Sequence, residues 1–409
     1  MKKLTPLEKK WIFYDVGNSA FILLSTTMIP IVFNNLAEKF LDAATYLAYW
    51  GYGITISTIV VAILGPVLGA IADNKGRKNL LFSIFVMFGV MSLSLMPFSK
   101  NYMLFLVLYV ITKIGYNGSL IFYDSMLPDV TTDENMDKVS SYGFAWGYIG
   151  SCVPFIISIA IIFGKDKLHL SMSNAIIISF LLNAVWWLAF SLPLIKSYKQ
   201  VHFLDTGVVG IKEVYSRLLF TLKEIFVDKK VFLFLLSFLF YIDGVYTIIN
   251  MATAYGKSLG LSSNGLILAL LVTQLVAFPC AIWFAHISKK YSTDKLLKIC
   301  IIAYGLIALY AIQLDQLYEF WILAVAVGMF QGAIQALSRS YYVRIIPAER
   351  SGEYFGIYDI CGKGASVFGT LLISIVSQIT GQQNKAISLL LILFVIGYFI
   401  FDKASKVKQ

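Results

Sequence analysis

Residues 65–79 read GPVLGAIADNKGRKN. This stretch closes one long apolar run and, seven polar or small residues later, opens another. Asp73, Lys75, Arg77 and Lys78 crowd charge into a turn that Gly76 can make tight. Asp73 can sit against a helix N-terminus, and Arg77 can reach a carboxylate at the end of a neighbouring helix. Two apolar runs joined by so short and so charged a turn read as consecutive membrane spans.

The pattern repeats outward in both directions. The chain has 409 residues, of which 58% are hydrophobic and 14% charged. A soluble domain carries about 25% charged residues. A span needs about 20 mostly apolar residues. Six such runs fall in the first half, at 11–35, 47–72, 79–98, 102–123, 139–163 and 173–194. Six more follow, at 231–256, 263–287, 295–313, 317–341, 353–377 and 385–402. The sequence therefore predicts an all-α membrane protein with twelve transmembrane helices. Its expected parts are a bundle over 1–194, a linker over 195–230 and a second bundle over 231–409. Within the linker, Ile211, Val214, Leu218, Leu222, Ile225 and Phe226 recur at helical spacing among charges, which predicts an amphipathic helix on the membrane surface.

The formal net charge is +10, but the cations lie in short gaps between apolar runs and form no basic domain, which argues against a nucleic-acid partner. Their placement gives an orientation. One side holds Lys2, Lys3, Lys9, Lys10, Lys75, Arg77, Lys78, Lys138, the linker cations, Lys289, Lys290, Lys295, Lys298, Arg339, Arg344, Arg350 and the tail lysines. The other holds only Lys39, Lys100, Lys165, Lys167, Lys257 and Lys385. Both termini are expected in the cytoplasm and the chain in the cell membrane. The N-terminal MKKLTPLEKKW is too polar for a cleavable signal, so the first run is expected to persist as a helix. The four cysteines, Cys152, Cys280, Cys300 and Cys361, sit in apolar runs and read as packing residues.

The halves also echo one another. Pro128, Gly143 and Gly150 recur in spacing as Pro347, Gly362 and Gly369, and Pro66 and Asp73 as Pro279 and His286. Such duplication builds transporters whose site lies between two pseudo-symmetric six-helix bundles.

Charges inside spans are costly and mark function. Lys113 and Lys363 lie away from any loop, as do Asp15, Asp243 and Asp359, while Asp124 ends the fourth span. Asp359 precedes Lys363 by four residues, the favourable order for an ion pair. That pair is either structural or opens for a substrate or proton. Lys113 has no acid three or four residues away, so its partner is another helix, with Asp15 one option, or an anionic ligand. Asp243 is the leading proton-coupling residue, with Asp15 and Asp359 beside it; its bland alternative is a helix-to-helix hydrogen bond. Asn18, Asn117, Asn250, Gln331 and Gln335 line up with these charges along single stripes of the first, fourth, seventh and tenth spans, and Tyr246 adds a hydroxyl. They are candidate substrate contacts together with Lys113 and Lys363, although single amides more often serve interhelical packing.

There is no phosphate-cradling glycine loop with a following Lys and Ser or Thr, which argues against ATP as the driving force. His169, His202 and His286 are scattered without metal-ligand spacing. No nucleophile–base cluster is legible, so neither an enzyme nor a cofactor is expected. A sensor would need a soluble output domain, and no segment is long enough. Transport of a lipid or lysolipid amphiphile stays open, because the aromatic content allows a half-apolar cavity.

Gly69, Asp73, Gly76, Arg77 and Lys78 resemble the signature between the second and third helices of the major facilitator superfamily. In that superfamily the loop acts as a cytoplasmic latch between the halves, which casts Asp73, Arg77 and Asp124 as the latch and pairs Arg77 with Asp124. A narrower resemblance lies in WIFYDVGNSAF, residues 11–21, and in QGAIQALSRSYYVRIIPAERSGEYFGIYDICGKGASVFG, residues 331–369. Both are similar to the vacuolar-effluxer branch of the superfamily, the "unknown major facilitator" family. The resemblance implies the major facilitator fold and secondary active transport by alternating access. It also suggests an amino-acid-like, amphoteric or anionic solute, which suits a cavity bearing both signs of charge. Protons, a small-molecule substrate and the lipid bilayer are the expected partners of a monomer.

Overall fold

Several long helices begin where a polar side chain satisfies free amides of the first turn. Thr5 and Glu8 form a reciprocal capping box with Pro6 at the first helical position. Asp42, Asn101, Ser171 and Ser262 cap later helices through their side-chain oxygens. The computed structural model describes residues 3–205, 211–258, 262–314, 316–364 and 383–407, together with 369, 376 and 379. Most of the expected span 353–377 lies outside the described residues, as do residues 365–368 of the stretch from Gly362 to Gly369.

The helices run in order as α1 (Pro6–Ala37), α2 (Ala43–Ala72), α3 (Arg77–Leu95), α4 (Tyr102–Ser125) and the short α5 (Leu127–Val130). Then come α6 (Met136–Phe163), α7 (Met172–Ser197), α8 (Ile211–Val227), α9 (Lys229–Ser258) and α10 (Ser263–Ile287). The chain ends with α11 (Thr293–Ala311), α12 (Leu317–Ile345), α13 (Ser351–Asp359) and α14 (Gln383–Lys406). A π-helical turn, Ile360–Gly364, continues α13.

Among the described residues, ten helices are long and apolar enough to cross a membrane. The other two expected spans are α11, whose first turn carries Asp294 and Lys295, and the one that α13 begins. Large apolar side chains such as Ile63, Phe88, Trp283, Leu306 and Phe399 are exposed on these helices. Water would penalise that surface, whereas hydrocarbon accepts it. The protein is a multi-pass membrane protein with an all-α fold.

Before α8, α1 packs against α6 and α7, α3 against α4 and α7, and α2 against α4. After it, α9 packs against α14, α10 against α12, and α11 against α12 and α14. Among the described residues, the main pairings that join the two sets are α2 with α13 and the π-helical turn, α4 with α13, and α6 with both α10 and α12. At the α2–α13 crossing the backbones touch. A Cβ built on Gly69 would lie 2.1 Å from the carbonyl oxygen of Gly352, so neither position has room for a side chain.

The linker helix α8 lies against α2 and α9. Val214, Thr221 and Ile225 face the protein, while Tyr215, Leu219 and Phe226 are exposed. Only Asp228 separates α8 from α9, and its carboxylate caps α9 by accepting from the amides of Lys230 and Val231.

Candidate functional site

The turn at 73–76 has the expected geometry. Gly76 adopts φ +73°, the left-handed region that glycine enters without strain. Asp73 follows the last residue of α2 and is fully buried. Its carboxylate accepts from the amides of Gly352 at 2.7 Å and Glu353 at 2.9 Å, the free N–H groups at the start of α13. Burial raises the Asp73 carboxyl to about 6, against the opposing pull of Lys78 and the two amides.

The expected Arg77–Asp124 pair is not formed. Arg77 is exposed, and its neighbour Lys78 is fully buried. Consecutive helical residues point about 100° apart, so only one of the two can face α4 and α13. Lys78 does so. Its ammonium donates to the Ser351 hydroxyl at 2.8 Å and the Ser125 carbonyl at 3.2 Å, and lies 3.7 Å from Asp73. The linker adds to this knot: Arg217 lies 3.4 Å from Glu353 and donates to the Ala70 carbonyl, while Arg350 binds Thr221 and Glu224.

Asp124 instead pairs with Arg339 of α12, at 2.7 Å. The same guanidinium lies 3.8 Å from Asp15 of α1, and donates to the hydroxyl and carbonyl of Ser140 at 3.0 and 2.9 Å. Its centre is 4.6 Å from the Trp11 ring, 4.5 Å from Phe144 and 5.5 Å from Tyr123. Tyr123 donates its hydroxyl to Asp15 at 2.7 Å and stacks on Trp11. By its place in the sequence Arg339 groups with the loop cations, but the structure buries it to 3% exposure. Its position inside the expected span 317–341 was the available signal. Asp137, at the start of α6, also went unrecognised. It accepts from Arg344 at 2.9 Å, Thr293 at 2.7 Å and Ser340, all on second-half helices.

Further along the helices, Lys363 and Asp359 form the expected ion pair at 2.6 Å. Lys363 begins its approach from the π-helical turn and also donates to the carbonyl of Asn117 at 3.4 Å. The extra residue of a π turn redirects side chains and recurs at functional positions. Lys113 lies within electrostatic reach of Lys363. Its own contact is the Tyr109 hydroxyl at 3.5 Å, and among the described residues no carboxylate stands within ion-pair distance. The optional Lys113–Asp15 bridge is absent, because Asp15 is engaged by Arg339 and Tyr123. Lys113, Tyr246, Gln335, Tyr358, Asp359 and Lys363 are each only half-buried.

The remaining candidates are scattered. Asn18 is buried and donates to Asp15 at 3.2 Å and to the Tyr14 carbonyl at 3.0 Å. Gln335 donates to Tyr148 at 3.4 Å and to the carbonyl of Gln331, linking α12 to α6. Asn250 is exposed on α9. Asp243 stands apart: it is buried, accepts from the Gly369 amide at 3.1 Å and lies 3.3 Å from the Thr247 hydroxyl. The structure thus gathers Asp15, Asn18, Asp124, Lys363 and Asp359 around one interface and leaves Asp243 and Asn250 outside it.

Comparison with known proteins fits this architecture. Residues 40–408 match the family described as vacuole effluxer Atg22 like. The chain is 42% identical over 406 residues to the uncharacterized MFS-type transporter YxiO of Bacillus subtilis, covering 98% of this chain and 95% of the relative. It is 24% identical to autophagy-related protein 22 of Eremothecium gossypii, covering 89% and 78%. Among solved structures, the human organic anion transporter MFSD10 (TETRAN) superposes with a TM-score of 0.72 at 13% identity, covering 97% and 98%. FucP in its outward conformation superposes with 0.71 at 12% identity, covering 98% of each chain. A membrane bundle whose helices before and after α8 are tied together by Asp73, Asp124 and Asp137, and which is matched along its length by these relatives, is a transporter of the major facilitator superfamily and belongs to the vacuole effluxer Atg22-like family.

Proposed function

We propose that the protein moves a small amphoteric or anionic, amino-acid-like solute by alternating access, coupled to protons. The observation that carries this reading is the pair of lysines from opposite halves. Lys113 of α4 and Lys363 after α13 lie within electrostatic reach, and one of them has an ion-pair partner among the described residues while the other has none. Two ammonium groups drawn together away from any loop repel one another, and hydrocarbon penalises both. Binding an anionic group between them relieves both costs. Asp359 then exchanges Lys363 with the ligand, and the acids Asp15, Asp243 and Asp359 carry the proton.

In this reading the Asp73 end of the bundle is the cytoplasmic end, closed, with both termini on that side and the chain in the cell membrane. The Lys and Arg distribution supports that orientation. The protein works as a carrier without enzymatic chemistry, as a monomer.

The test is flux in proteoliposomes across a panel of amino acids and small organic acids. Lys113→Ala and Lys363→Ala should each lower uptake of the carried solute by about tenfold or more. Asp243→Asn should uncouple uptake from an imposed pH gradient. Wild-type flux in both lysine variants would remove this site.

A further inference from the structure

The groups around Arg339 come from one side of the interface only. Asp15 and Trp11 belong to α1, Tyr123 and Asp124 to α4, and Ser140 and Phe144 to α6. Arg339 alone comes from α12. The first half therefore builds a complete receptor for an organic cation: two carboxylates, a carbonyl, a hydroxyl and three aromatic faces around one guanidinium. Carboxylates neutralise the charge, and ring faces attract a cation that sheds its water.

Resting on the alternating-access reading above, we propose that this receptor also holds the ammonium or guanidinium group of the cargo, and that Arg339 is a tethered competitor for it. When the halves part at the Asp73 end, α12 draws Arg339 away from α1, α4 and α6. Asp15 and Asp124 then lose their shared counter-ion among aromatic rings, which is costly until another cation enters. Asp124 keeps the more exposed carboxylate of the two and lies within electrostatic reach of Lys363. A zwitterion can therefore place its cationic end at Asp124 and its anionic end at Lys363 and Lys113. Return of Arg339 expels the cationic end and closes the passage behind it. The cargo class is thus a solute with a primary ammonium or guanidinium next to an acid group, in preference to a plain anion.

The test is thermal unfolding of the purified full chain with ethylammonium or methylguanidinium, against sodium at matched ionic strength. Arg339→Ala should gain about 2–4 °C with either organic cation, while wild type, already filled by its own arginine, should not move. Adding Asp124→Asn should remove the gain. If Arg339→Ala does not fold, Gly69→Ala parts the halves with every receptor group kept and should show the same gain. No gain in a folded Arg339→Ala or in Gly69→Ala, an equal gain in wild type, or a gain that survives Asp124→Asn overturns the proposal. A transport arm separates it from the broader reading. If plain organic anions are carried as well as zwitterions and Asp124→Asn leaves that ratio unchanged, the receptor proposal falls while the lysine site stands. If no solute is carried and Lys113→Ala changes nothing, the broader reading falls instead.

Discussion

Arg339 and Asp124 meet at 2.7 Å across the interface between helices that precede α8 and helices that follow it. Arg339 is almost wholly enclosed and Asp124 half-buried, so the pair's worth lies in what happens when one member is removed. Arg339→Ala leaves two carboxylates facing each other without a counter-ion and should cost about 3–5 kcal/mol of stability in the closed arrangement. Combining it with Asp124→Asn should recover a large part of that loss. Thermal melts of the two single variants and the double variant give the coupling; strict additivity would mean that the pair holds nothing together.

Asp73 makes the closed arrangement sensitive to pH. Its carboxyl is raised to about 6 by burial, above the ordinary 3.8 that it regains once exposed to water. The closed arrangement therefore binds a proton more tightly than the open one. Acidification stabilises closure fully below about 3.8, and the advantage is lost as pH rises through about 6. The difference is on the order of 2–3 kcal/mol. Cysteine accessibility at the Asp73 end should fall between pH 7.5 and pH 5 in wild type and stay flat across that range in Asp73→Asn.

Lys78 and Arg77 should behave as opposites. Lys78→Met removes two hydrogen bonds and the charge beside Asp73, and should destabilise the closed arrangement by about 1–3 kcal/mol. Arg77→Ala alters an exposed side chain and should stay within about 0.5 kcal/mol of wild type. Equal effects in denaturant or thermal melts would contradict the observed division of labour between the two.

Gly69→Ala should open the bundle without touching a charge. The added methyl would fall 2.1 Å from the Gly352 oxygen, so α2 and α13 must move apart. Overpacking of this kind costs about 1–3 kcal/mol. Distance measurements between spin labels on α3 and the start of α13 should lengthen at the Asp73 end. Distances that match wild type would show that the crossing tolerates a side chain.

Much of the fold was legible because hydrocarbon leaves the chain few choices. Helix after helix follows from apolar length, and the tight turn at Gly76 follows from glycine beside charge. The Asp359–Lys363 pair was legible as well, because both members share one helix and spacing fixes their contact. The interhelical partners were not. Sequence spacing cannot say which of two adjacent cations faces a neighbouring helix: Lys78, not Arg77, reaches α4 and α13, and the expected partner of Arg77, Asp124, is taken by Arg339. Arg339 looked like an anchoring cation because it stands near a helix end, and only the packing of α1, α4 and α6 around it reveals its enclosure. Asp243 had the right depth, yet its immediate partner is a backbone amide of Gly369. Aromatic rings were too common along the chain for Trp11, Tyr123 and Phe144 to stand out.

The single residue between α8 and α9 turns the linker into a lever. Asp228 is both the joint and the cap of α9, and its own amide donates to the Glu224 carbonyl of α8 at 2.8 Å, so hydrogen bonds couple the two helices across it. Arg217 lies ten residues before the end of α8, roughly 15 Å from that joint. A tilt of α9 by about 10° sweeps Arg217 through roughly 2–3 Å, enough to part it from Glu353. A tilt of one spanning helix would thereby be read out at the Arg217–Glu353 contact, at the far end of the linker helix.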